Sequence, residues 1–211
     1  MDKEIGNPDF PIWLIGDSNP KQWESRLVSP LDPRHPIRHN IWTAVSDVFQ
    51  DKVYREAKLR VDTSRIYIRN AIENSEIKPK QSDIQWAPLV EEEISGLARS
   101  IHLFKPIMVF SFGAFSYEFV RRTCGETEEH KYACWGAKRL GSEFRYRMEN
   151  FDPSKTNIIP LLHRSIAGGK FLESHKYFCH AEDGVNYFYY VGNCLAEIML
   201  QYREKLNIWI G

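Results

Sequence analysis

The chain has 211 residues, 43% of them hydrophobic, and Lys plus Arg and Asp plus Glu both number 28. That length buries a substantial core as a single domain, 1–211, and the zero net charge excludes nucleic-acid binding driven by the whole-molecule field, so any such binding requires a local basic face. The opening MDKEIGNPDF has no apolar signal core, and no run of about 18 apolar residues occurs, so an intracellular protein without a membrane span is expected, cytoplasmic or nucleoid-associated.

The first predicted element is a buried strand, IWLIG, ending at Gly16 and running into the polar cluster Asp17-Ser18-Asn19-Pro20. Residues 17–38, with Pro20, Pro30, Pro33 and Pro36, read as a long ordered loop. HNIWTAVSDVFQ places Ile41, Trp42, Val45, Val48 and Phe49 at helical spacing behind Asn40 as a cap. SRIYIRNAI reads as a second strand ending near Asn70. Ser82 and Gln85 match a capping box for a helix whose apolar face is Val90, Ile94, Leu97, Ile101 and Phe104, with Pro88 restricting it to the residues after that proline.

KPIMVFSFG is the clearest buried strand, with a short helix in AFSYEFVRR after it; strand, glycine, helix is α/β grammar. Residues 124–157 interrupt the rhythm and read as an insertion, in which SEFRYRMEN alternates like a hairpin strand. NIIPLLH restores the pattern as a strand ending at His163, before Arg164, Ser165 and a Gly168-Gly169 turn, and VNYFYYVGNCLAEIMLQYREKL closes the chain as a helix. The fold class expected is α/β, a central mostly parallel sheet flanked by helices. Polar clusters at 17–19, Asn70 and 163–165 then fall just past strand ends, where open parallel sheets bind ligands.

Cys124, Cys134, Cys179 and Cys194 form no CxxC pair, and the seven histidines form no HExxH pattern. Neither a metal nor another cofactor is expected. GDS also suggests a serine esterase with Ser18 as nucleophile and the DPRH segment, Asp32 to His35, as its partner pair. In such esterases that pair lies near the C-terminus, whereas here it stands close behind the serine.

Taken in order, the motifs resemble the uracil-DNA glycosylase superfamily. IGDSNP is similar to its first motif, HPIRHNIWTAV to the HPxNxFW segment of its mismatch- and hypoxanthine-type branches, and IYIRNAI to the strand ending in a base-reading asparagine. KPIMVFSFGAFSYEFV resembles the next strand and helix, and LLHRSIAGG the HPS motif. GDSNP is one residue longer than GxNP, Ile41 stands where a stacking Phe would be, and Arg164 replaces the proline of HPS.

The resemblance implies a uracil-DNA glycosylase-like fold and hydrolysis of the N-glycosidic bond of a flipped-out base, uracil by default. The partner is DNA, single- or double-stranded, and the protein a monomer. It implies His163 as donor to the leaving base, and either Asp17 or Asn19 as the group that activates or positions water. Gly16, Ser18, Pro20, Trp42 and Asn70 would form the base pocket, with Asn70 offering a donor and an acceptor. Arg164, Ser165, Gly168, Gly169 and Lys170 would grip DNA, joined by Lys131, Lys138, Arg139, Arg145 and Arg147 as a phosphate track. The plainer alternatives are Asx-turn or capping roles for Asp17 and Ser18, core packing for Trp42 and Phe49, and a non-catalytic recognition module on the same fold.

Overall fold

A computed structural model of the chain describes residues 4–19, 27–34, 38–126, 129–163, 171–180 and 185–210. The strands are β1 (Glu4–Ile5), β2 (Ile12–Gly16), β3 (Tyr67–Asn70), β4 (Met108–Phe112) and β5 (Asn157–Leu161). The α-helices are α1 (Ala44–Ala57), entered through a π-helical turn at Arg38–Thr43, α2 (Pro88–Phe104), α3 (Gly113–Thr123), α4 (Ala137–Glu149), α5 (Phe171–Cys179) and α6 (Tyr187–Gln201). The strands form one sheet in the order β1-β3-β2-β4-β5, in which only the two-residue β1 runs antiparallel to its neighbour. The expected α/β class with a mostly parallel sheet is therefore present.

β4 and β5 are buried along their whole length, as parallel strands covered on both faces must be. On one face Trp13 packs against Tyr67, 4.5 Å between ring centroids, and against Phe104 of α2 at 6.2 Å. On the other, Trp42 packs on Phe110 and Phe112 at 5.6 and 6.5 Å, and α6 lies against α1.

Three local expectations are corrected. SEFRYRMEN is not a hairpin strand but most of α4, because Leu140 and Phe144, four apart and buried, set the period. The alternating Phe144, Tyr146 and Met148 mimic a strand only over a short window. Ser82 does not cap a helix; its hydroxyl donates to Asp83 at 3.2 Å, and α2 starts at Pro88, where a missing N–H costs nothing. Asn40 does not open α1 but lies inside the π-helical turn.

The segment after α3 is tied down by one carboxylate. Glu118, with no exposure, accepts from Arg121 Nη1 and Arg122 Nε at 3.0 Å each, from Trp135 Nε1 at 2.8 Å and from the His130 backbone N–H at 2.8 Å. A buried charge is tolerable only when paired and hydrogen-bonded in this way.

Candidate functional site

The chain leaves β2 toward β3 on one side and leaves β4 toward β5 on the other. The connections therefore diverge past the carboxyl ends of the adjacent strands β2 and β4, the switch point at which open α/β sheets form a crevice. Gly16, Asp17, Ser18 and Asn19 leave one side of it and Gly113 the other.

Gly16 and Asn70 are register partners at the ends of β2 and β3. Pairing continues past them, with Ala71 N–H donating to Gly16 O at 2.9 Å and Ile72 N–H to Asp17 O at 3.3 Å. A Cβ on residue 16 would lie 2.4 Å from Asn70 Oδ1, so the missing side chain is what lets the carboxamide lie there.

Asp17 is held at both oxygens. Lys78 Nζ approaches Oδ2 at 2.5 Å, and Ser18 Oγ donates to Oδ1 at 3.1 Å. The Lys78 ammonium also sits 4.9 Å from the Phe115 ring centroid and 5.8 Å from that of Tyr132, a cation–π arrangement. Tyr132 donates its hydroxyl to Pro79 O at 3.0 Å, and burial first, then the Asp17 charge, raise its phenol pKa. The Asp17 side chain keeps 16% exposure, whereas Asn19 is buried at 1%.

His163 stands two residues beyond β5, half-buried, and abuts Gly113. There the backbone has φ +84°, and a Cβ would lie 2.6 Å from His163 Cβ, so glycine is required on both counts. The approach to His163 is fixed from behind: Leu162 N–H donates to the Tyr187 hydroxyl at 3.0 Å, and Tyr187 stacks on His175 at 4.9 Å.

The fold thus brings Gly16, Asp17, Ser18, Asn19, Asn70 and His163 to one edge of the sheet. Trp42 is not among them; at 7% exposure it packs with Phe49, Phe110 and Phe112. Pro20, Arg164, Ser165, Gly168, Gly169 and Lys170 lie outside the described residues. The phosphate track is reduced: Arg147 pairs with Glu126 at 2.6 Å and bonds Tyr117, and Arg145 donates to Phe178 O, so both serve internal contacts. Lys131, Lys138 and Arg139 remain exposed.

Of the esterase pair, His35 lies outside the described residues, and the Asp32 carboxylate is taken up by Val28 N–H and by the backbone and guanidinium of Arg34. Lys78 is a site residue that sequence reasoning misses. It stands in a loop without periodicity, and only the fold brings it to Asp17. Among the described residues no group of three or more His, Cys, Asp or Glu is arranged to hold a metal ion. Burial pushes the Cys179 thiol up to about 11, away from thiolate chemistry. No described helix is long and apolar enough to cross a membrane. No protein-family model matches the chain, and no curated protein matches it.

Proposed function

We propose that this chain is a DNA glycosylase of the uracil-DNA glycosylase superfamily, hydrolysing the N-glycosidic bond of a flipped-out base, with uracil the first candidate. The observation that carries this reading is the placement of Asp17, Asn70 and His163 past the carboxyl ends of strands of one sheet, with Gly16 against Asn70 and Gly113 against His163. It adds to the motif order of the sequence.

In this reaction water adds to C1′ of the sugar while the C1′–N bond breaks, its electron pair leaves on the base, and the proton that the water gives up ends on the departed base. The transition state combines a sugar with oxocarbenium character and an anionic leaving group. His163 donates to the base oxygen where that charge develops. Asn70 reads the base edge with one donor and one acceptor. Asp17, fixed by Lys78 and Ser18, supplies a negative charge beside the sugar. Its exposure against the burial of Asn19 favours Asp17 for this role.

The test is excision on labelled single- and double-stranded oligonucleotides carrying uracil, hypoxanthine, a G·T mismatch or modified cytosine, read as abasic-site cleavage. Product from one base supports the reading and selects the branch; DNA bound without product from any substrate overturns it. That second result would favour a non-catalytic recognition module, a reading supported by the engagement of both Asp17 oxygens within the protein.

A further inference from the structure

A cavity of about 320 Å3 lies alongside β3, and none of the strand-end residues lines it. Its Ile66 and Ile68 walls belong to the sheet face that carries Phe110, since Ile68, Leu14 and Phe110 stand in register. The volume is at the small end for ligand pockets, which run roughly 300–1,000 Å3. A compact molecule therefore fits it, and an extended one does not.

The lining combines an apolar wall with polar residues. Leu31, Trp42, Ile66 and Ile68 give the apolar wall, the hydroxyl residues Thr43, Ser46, Thr63 and Ser64 also line it, and among the described residues Arg38 is the sole charged one of the lining. No acid among the described residues lines the cavity to balance that guanidinium. An anionic group on the occupant would do so.

The wall is also rigidly built. Asp32, 1% exposed, accepts from Val28 N–H at 3.1 Å, Arg34 N–H at 2.9 Å, Arg34 Nε at 2.9 Å and Arg34 Nη2 at 2.8 Å. The Arg34 guanidinium and these amides hold its carboxyl far below the usual carboxylate range. The loop so organised carries Leu31 with φ +52°, a conformation a branched side chain seldom adopts and one that concentrates at ligand clamps. The Leu31 carbonyl accepts from Arg38 Nη1 at 3.3 Å. That contact uses one of the five N–H donors of a guanidinium and orients its plane.

We propose that this cavity binds a compact monocarboxylate with a single ring or branched aliphatic body, its carboxylate on Arg38 and its body against Trp42, Leu31, Ile66 and Ile68. One planar guanidinium matches a carboxylate bidentately, whereas a dianionic phosphate would call for a second cation, which the described lining does not supply. The site stands apart from the glycosylase reading and does not depend on it.

The experiment is a titration of the full chain with benzoate, tracked through the Trp42 indole N–H resonance, with benzyl alcohol and inorganic phosphate as comparison probes. Saturable benzoate binding is expected, at least about tenfold tighter than either comparison. Arg38→Gln should weaken it at least about tenfold, and Ile68→Phe, which fills the cavity, should remove it. Equal response to benzoate and benzyl alcohol, preference for phosphate, or unchanged benzoate binding in a folded Arg38→Gln variant would each overturn the proposal. Arg38→Lys, which keeps the charge but loses the fork, supplies a second variant should the first fail to fold.

Discussion

The ammonium of Lys78 lies 2.5 Å from Oδ2 of Asp17, an ion pair closed between residues 61 positions apart. The pair is partly shielded, with 29% and 16% side-chain exposure, and it rests beside the rings of Phe115 and Tyr132. Its role is to fix the carboxylate rather than to hold the fold, since a partly exposed pair contributes only about 1 kcal/mol or less. Lys78→Met should therefore lower excision about tenfold in kcat/KM with a Tm change of a few degrees at most, and Lys78→Arg should recover most of the rate. An unchanged rate in Lys78→Met would remove Asp17 orientation from the mechanism.

Asn70 and His163 stand at strand ends, outside the cluster of buried apolar side chains, so their truncation should separate chemistry from stability. Asn70→Ala and His163→Ala are each expected to lower excision at least about 100-fold, the scale on which one aligned donor acts. Circular dichroism and thermal melts should stay close to the parent. Full activity in both variants would end the site assignment.

The edge of the sheet was legible because its strands are apolar runs that stop at punctuating residues: IWLIG at Gly16, MVFSF at Gly113. Runs of that kind announce both the strand and the point where side chains become available. Lys78 was not legible, because its meaning is set by a long-range contact and not by any local period. The helix α4 was hidden by a short aromatic alternation that outweighed the four-residue spacing of Leu140 and Phe144. The two-residue β1 and the short α5 lack a window long enough for periodicity to speak.

Gly113→Ala tests the strand-to-helix turn. The new methyl group would stand 2.6 Å from His163 Cβ on a backbone at φ +84°, so the variant should lose about 1–3 kcal/mol. The loss should appear as a lower urea midpoint with an unchanged m-value, and excision should fall with it as His163 is displaced.

Glu118→Ala should be the most damaging single change outside the apolar core. It would leave Arg121, Arg122, the Trp135 indole and the His130 amide without their shared acceptor. Breaking a buried ionic cluster from one side costs about 3–5 kcal/mol. Urea unfolding should show that loss, and limited proteolysis should cut first in the segment just after α3.

His175 sets a pH dependence of stability. It is 6% exposed and lies against Tyr187 and Phe188 at 4.9 and 5.2 Å, and burial lowers its imidazole pKa from 6.5 to about 4. Between those values the unfolded chain takes up a proton that the folded chain refuses, so stability falls as pH drops from about 6.5 to about 4 and levels off for this group below that. Carboxylates titrate in the same range, and the contribution of His175 is therefore isolated by comparison with His175→Phe, which retains an aromatic ring at the position. The difference in urea midpoint between the two proteins should shift in favour of His175→Phe as pH falls through this window. A difference constant from about pH 7 to about pH 4 would mean that the imidazole gains its proton in the folded state as readily as in the unfolded one.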